Sequence, residues 1–289
     1  MYNITIVGLG IIGGSLAKAL KGYPDTTVYG INHRQSIIDM AVADRVIANN
    51  GETDEEILEK SDMVVLCLYP SLCVDFVRKH IDHFKKGALL TDVCGIKEQF
   101  VKDINSLIRP DMEYVGAHPM AGREVYGYVN SLPDLFKNCN FLITPTPDNT
   151  EEAIGEIEKM ARYIGAKKIV RISPHDHDEM IAYTSQLMHV IAVALCDNKH
   201  IEIASSFAAG SLRDCTRVAV INEVLWSELF IENKEALCVL IDELKGSLDR
   251  IENAIKNEDY DTLKAIMKHA TEAKLKYLNG ETHMKPINQ

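Results

Sequence analysis

Residues 1–20 read MYNITIVGLGIIGGSLAKAL, and residues 28–36 read VYGINHRQS. The first stretch decides the fold. Residues 2–8 are short, apolar and β-branched and end on glycine, which predicts a buried strand. Gly8-Leu9-Gly10-Ile11-Ile12-Gly13 follows at once, and residues 13–21 read as a helix. Glycines at this spacing, between a strand and a helix, have a physical use. Gly8 permits a tight turn, Gly10 lets a ligand approach the backbone, and Gly13 lets the helix pack closely on the strand. The free N–H groups at the helix start, around Ile11 and Ile12, then favour an anion such as a pyrophosphate. The loop predicts a dinucleotide site.

The second stretch addresses which dinucleotide. Residues 27–31, TVYGI, read as the second strand. In a unit of this kind that strand usually ends in a carboxylate bonded to the ribose 2′-OH of NAD. Here the turn holds Asn32, His33 and Arg34. A carboxylate would repel a 2′-phosphate, and Asn32 does not. Arg34 offers that phosphate a two-pronged donor, with His33 as a further contact. NADP is the favoured cofactor. NAD is the alternative, because an asparagine can still bond a ribose hydroxyl.

Further strands are expected at 62–70, 87–94, 112–119, 139–145 and 166–172, with helical segments between several of them. Strands alternating with helices predict a doubly wound, mostly parallel sheet. Strand signals stop near residue 172. Residues 175–200 read as one long, largely apolar helix. Leu237, Leu240, Leu244, Leu248, Ile251 and Ile255 recur at steps of three and four, which marks one face of another. A last helix is expected over 260–278, ending near Gly280. The fold class is therefore α/β. A Rossmann domain spans 1–170, and an all-helical domain spans 171–289 for substrate binding and dimerisation. The apolar faces of the helical half exceed what a small bundle covers alone, so a homodimer through this half is expected.

The chain has 289 residues, 46% hydrophobic and 25% charged, and a formal net charge of −11. That sign argues against a nucleic-acid partner. The 7 cysteines include no CxxC pair and sit largely in apolar runs, which predicts reduced thiols and a cytoplasmic protein. No leader segment is expected. The longest later apolar run, LMHVIAVALC at 187–196, is short for a bilayer, so no membrane association is expected. No metal site is expected either: His175 and His177 stand two apart and do not share a helix side.

The chemistry centres on residues 116–127, GAHPMAGREVYG. His118 precedes a proline at the C-terminal end of a strand, the end that faces the ligand crevice in an open α/β sheet. An imidazole there can take or release a proton near neutral pH. Gly116 and Gly122 beside it favour close ligand approach.

Several segments together carry a resemblance. They are GLGIIGGS at 8–15, TDVCGIK at 91–97, HPMAGREVYG at 118–127, HDEMIAYTSQLMH at 177–189 and FAAGSLRDCTRVA at 207–219, followed by Trp226 and Asn233. With them the chain resembles the prephenate and arogenate dehydrogenases of tyrosine biosynthesis. The resemblance implies NAD(P)-dependent oxidative decarboxylation of prephenate to 4-hydroxyphenylpyruvate, or of arogenate to tyrosine. It implies that His118 is the catalytic residue at the substrate hydroxyl and that Arg217 grips a substrate carboxylate. It also implies that His189 lines the pocket and that Glu124 tunes it. The alternative for Arg217 is a helix salt bridge to Asp214, three residues earlier.

Two positions depart from the family pattern. Gly95 stands where relatives often carry a serine that bonds the substrate hydroxyl and the catalytic histidine. Gln186 stands where many carry a histidine; its amide can still bond a substrate oxygen. Cys94 reads as a small packed residue. Two rival readings are weaker. An imine or β-hydroxyacid reductase of the same plan would use a lysine on the helical half, and 175–198 contains none. A non-catalytic dinucleotide sensor would not need His118 and Arg217 together.

Overall fold

The computed structural model describes residues 1–280. Its first part runs β1 (Tyr2–Val7), α1 (Ile11–Ala19), β2 (Thr26–Ile31), α2 (Gln35–Ala43), α3 (Asp54–Leu58), β3 (Met63–Leu66), α4 (Pro70–His80), β4 (Leu89–Asp92) and α5 (Glu98–Leu107). Then come β5 (Glu113–Pro119), β6 (Asn140–Thr144), α6 (Glu151–Tyr163) and β7 (Lys168–Arg171). The strands form one sheet in the order β2-β1-β3-β4-β5-β6-β7. All neighbours are parallel except β5 and β6. The strand order reverses beside β1, which opens a crevice at the C-terminal strand ends.

Register puts those ends level. Val7 pairs with Ile31 and with Leu66, and Leu66 pairs with Asp92. The residues that follow, from Gly8 to Gly95, therefore share one edge with the end of β5. The strand residues alternate between the two faces, as the period of two requires. Ile4, Ile6, Met63 and Val65 join α1 and α6 in one core. Val7, Val64, Leu66 and Leu90 join α4 and α5 in the other. Both faces are covered, so these strands read as unbroken apolar runs.

Past β7 only helices occur among the described residues. They are α7 (Pro174–Ile181), α8 (Leu187–Cys196), α9 (Ile201–Ala204), α10 (Gly210–Thr216), α11 (Glu223–Glu232), α12 (Lys234–Lys256) and α13 (Tyr260–Leu278). Ser173 caps α7 by accepting from Asp176 N, with Pro174 in the first turn. A π-helical turn, Ala182–Gln186, joins α7 to α8 without a break. The long helix expected over 175–200 thus spans Pro174–Cys196, with a wider turn in the middle. By length and hydropathy alone this 23-residue helix would suit a bilayer, although its apolar run is short. Its buried polar residues His177, Asp178 and Gln186 all find protein partners, as in a core helix.

The apolar stripe of α12 is only partly covered. Leu237 is buried, whereas Leu248 is 55% exposed and Ile255 60% exposed. Residues 281–289, counted with the helical domain from the sequence, lie outside the described residues.

Candidate active site

The glycine loop shows why each glycine is there. Gly8 has φ +94, and a Cβ on it would lie 2.6 Å from the Cys67 carbonyl oxygen. A Cβ on Gly13 would lie 1.9 Å from the Gly8 carbonyl oxygen. These two serve close packing. A Cβ on Gly10 would meet nothing within 4 Å, so that side of the loop is open. Gly10 caps α1 with no side-chain bond, and the first turn holds no acidic residue. The first-turn N–H groups, from Ile11 to Gly13, are thus available to a pyrophosphate. The loop fits a dinucleotide.

At the end of β2, Asn32 is tied to this loop. Its Oδ1 accepts from Leu9 N at 3.1 Å, and its Nδ2 donates to Arg34 O at 3.3 Å. Arg34 Nε donates to His33 Nε2 at 3.1 Å, and both side chains are exposed. Among the described residues no carboxylate pairs with Arg34, so its guanidinium is available to an anion.

His118 is the penultimate residue of β5. Its Nδ1 lies 3.0 Å from His177 Nε2, and His177 Nδ1 lies 2.7 Å from Asp178 Oδ1. Asp178 also accepts from the backbone N–H groups of Lys97 and Glu98, at 2.8 and 2.7 Å, where α5 begins. Burial, with His177 and Lys97 nearby, holds His118 well below the ordinary histidine range. Burial does the same to His177. Both rings are neutral at pH 7. Burial pushes the Asp178 carboxyl up to about 6, against the opposing backbone bonds and the Lys97 charge.

Beside this group lies a closed ion pair. Lys97 is fully buried, and its Nζ donates to Asp92 Oδ2 at 2.8 Å and to the carbonyls of Cys94 and Ile96 at 2.6 and 3.0 Å. Asp92 accepts in addition from Tyr114 Oη, Ala117 N and Cys94 N. Every donor of the ammonium is used, and each carboxylate oxygen accepts twice. Such a pair survives burial because nothing in it is left unbonded. It also corrects the reading of Gly116. A Cβ there would lie 2.4 Å from Thr144 Oγ1 and 3.1 Å from Lys97 Cδ. This glycine makes room first for the Thr144 hydroxyl on β6 and then for the buried lysine stem, not for a ligand. Gly122 has open space around it.

A Cβ on Gly95 would lie 3.8 Å from His118 Cε1 and 3.8 Å from the Leu229 methyls, an ordinary contact. Gly95 therefore adjoins His118 and α11. One turn earlier on α11, Trp226 stacks on His189, with centroids 3.5 Å apart and planes at 28°. His189 Nδ1 donates to Ser185 O at 2.9 Å. Burial lowers its pKa, and the nearby Arg217 adds to this. Arg217 pairs with Glu124, which follows His118 by six residues. Both side chains stay open to solvent, at 65% and 45%. The pairing of Arg217 with Asp214 weighed from the sequence is not formed; Asp214 approaches Arg213 instead, at 3.5 Å.

Gln186 sits apart from this surface. It is buried, its Nε2 donates to Leu229 O at 3.1 Å, and its Oε1 accepts from Asn233 Nδ2 at 2.8 Å. Its amide joins the π turn to the α11–α12 junction from a buried position, so it is not presented on the open surface where Arg217 and Glu124 lie. Cys94 is packed as expected, 3.9 Å from the Cys73 sulfur. Sequence reasoning missed Asp92, Lys97, His177 and Asp178 as a group. The signals are present in TDVCGIK at 91–97 and HDHD at 175–178, but no spacing along the chain joins two segments about eighty residues apart.

Two family models match this chain. The nucleotide-binding domain of prephenate dehydrogenase matches residues 16–170, and the dimerization domain of prephenate dehydrogenase matches 173–269. The chain belongs to the prephenate dehydrogenase family. It is an oxidoreductase with a nucleotide-binding half and a helical half of the dimerization type. A cyclohexadienyl dehydrogenase from Zymomonas mobilis is 31% identical over 281 residues, covering 94% of this chain and 95% of that one. A prephenate dehydrogenase from Bacillus subtilis is 26% identical over 278 residues, covering 93% and 74%. Among solved structures, the A. aeolicus prephenate dehydrogenase in complex with hydroxyphenyl propionate and NAD+ superposes with a TM-score of 0.85. It is 27% identical and covers 96% of this chain and 98% of that one. An arogenate dehydrogenase from Synechocystis superposes with a TM-score of 0.81 at 26% identity, covering 95% and 99%.

Proposed function

We propose that this family member oxidatively decarboxylates prephenate to 4-hydroxyphenylpyruvate, the precursor of tyrosine, with NADP favoured over NAD. The observation that carries the reading is the placement of His118. It is a neutral imidazole at the C-terminal end of β5, on the sheet edge that also holds the glycine loop. A nicotinamide dinucleotide, when bound there, supplies the hydride acceptor. The chain's own part is to bind charge, orient the ring and hold one proton.

The step balances. The carbinol C–H breaks, and its electron pair leaves with the hydride. His118 takes the hydroxyl proton as C–OH becomes C=O. The ring carboxylate then leaves as CO₂, and the C–C electron pair aromatises the ring and reaches the oxygen. That phenolate oxygen takes the proton back from His118. Arg217 offers the substrate carboxylate a planar, two-pronged donor and would exchange its partner Glu124 for it. His189, stacked on Trp226, lines the pocket.

The Arg34 guanidinium, which no carboxylate holds among the described residues, and the absence of a carboxylate at position 32 support NADP. Arogenate is the second reading, because relatives include an arogenate dehydrogenase and a cyclohexadienyl dehydrogenase. We divide the chain into a Rossmann domain over 1–170 and a helical domain from 171 onward that pairs two copies. The uncovered stripe of α12 supports that pairing. The seven free cysteines fit a reducing cytoplasm. Initial rates at 340 nm, with prephenate and with arogenate, each with NAD and with NADP, test the reading. Turnover of prephenate with NADP preferred is expected. Preference for NAD would remove the cofactor assignment, and no turnover of either substrate would remove the activity.

A further inference from the structure

From His118 a line of three side chains, His118, His177 and Asp178, runs into the protein, and its hydrogens can be assigned. A carboxylate only accepts, so the 2.7 Å contact to Asp178 Oδ1 requires the proton on His177 Nδ1. A neutral His177 has no second ring proton, so its Nε2 only accepts. The 3.0 Å contact then requires His118 to donate from Nδ1. Asp178 is itself held by the N–H groups of Lys97 and Glu98, so the line is anchored on the start of α5.

We propose that His177 and Asp178 are positioning residues that fix the proton of His118 on Nδ1 and thereby turn a bare Nε2 toward the substrate hydroxyl. The inference deepens the function proposed above and rests on it for the identity of that hydroxyl. Without His177 an isolated imidazole would exchange between two tautomers, and one of them offers no lone pair at Nε2. When Nε2 takes the proton, the ring becomes a cation. Its Nδ1–H bond to His177 then strengthens, and Asp178 at the far end balances the charge.

The charged groups around the line set its response to pH. Lys97 and Asp92, between β4 and α5, face it as a bonded pair. Asp178 also lines a cavity of about 890 Å³ that it shares with Glu98, Lys102, His175 and Glu179. A purely structural role for His177, filling the space between α7 and β5, would set neither the tautomer nor the pH profile of turnover.

The test begins with the full-length wild-type chain labelled with ¹⁵N-histidine. The His118 signals are assigned by their loss in His118→Asn. The expected spectrum has Nδ1 protonated and Nε2 bare; a proton on Nε2 overturns the proposal. Kinetics follow. His177→Phe should lower kcat by about ten-fold or more, shift the acid limb of the kcat–pH profile, and leave KM and dinucleotide affinity unchanged. His177→Gln, whose amide oxygen still accepts from Nδ1–H, should recover part of kcat. A folded His177→Phe with wild-type kcat and profile overturns the proposal. If His177→Phe does not fold, the wild-type tautomer and the His177→Gln profile decide. A wild-type chain with the expected tautomer but no turnover of prephenate or arogenate would sink the function and leave the relay standing.

Discussion

The two sides of the candidate site are built differently. On one side, where the ends of β4 and β5 meet the start of α5 and α7, Asp92, Lys97, His177 and Asp178 are buried, and their polar groups are bonded within the chain. On the other side, Arg217 and Glu124, from the loop after β5, meet each other in solvent, and apolar residues such as Phe207 and Val220 are exposed. Under the function proposed above, the difference would separate two tasks. Proton handling needs groups whose orientation does not change during reaction, so the protein completes that side itself. Gripping a dianion needs a cation that can exchange partners, so that side stays open.

If the comparison holds, disturbing the buried side should damage chemistry and folding most. His118→Asn should lower kcat by about 10²–10⁴-fold, with dinucleotide affinity by titration unchanged. Unchanged kcat would mean that the base lies elsewhere. Lys97→Met leaves the buried Asp92 charge without its counter-ion and should destabilise the fold by roughly 3–5 kcal/mol, read from denaturant melts.

On the open side the effects should be smaller and fall on binding. Arg217→Ala removes a charge-assisted grip of about 1.5–3 kcal/mol. It should act mainly through the KM for prephenate, while the melting temperature stays put because the pair is solvent-screened. A large fall in stability would break the comparison.

The buried neutral histidines also predict acid sensitivity. Their folded pKa values lie below the unfolded one, so the folded state resists protonation. Stability should therefore fall as pH drops below about 6.5, and less steeply in His177→Phe. Activity should persist somewhat below that pH, because His118 remains a base there. The smallest effect is at the boundary between the two sides. Gly95 has room for a Cβ, so Gly95→Ala should stabilise by about 0.4–1 kcal/mol. Gly95→Ser would place a hydroxyl beside His118, and its effect on kcat reports whether that hydroxyl is useful here.

Much of this was legible in the residues themselves. The glycine loop, the alternation of strands and helices, the switch to helices near residue 172 and the place of His118 all follow from local pattern. Backbone periodicity and strand ends are local properties, so local sequence encodes them. What was not legible involves partners distant in the chain. Lys97, Gly116 and Thr144 look unrelated until β5 pairs with β4 and β6, and the Thr144 hydroxyl and the lysine stem take the space left by the missing Cβ. Gln186 looks like a pocket residue until Leu229 and Asn233, more than forty residues away, take up its amide. Arg217 could pair with Asp214 by helix spacing, yet the loop after β5 brings Glu124 to it. The sequence by itself determined the dinucleotide fold and the family chemistry. Only the tertiary structure decided which polar groups are free to act, because that depends on which distant partners have already bonded them.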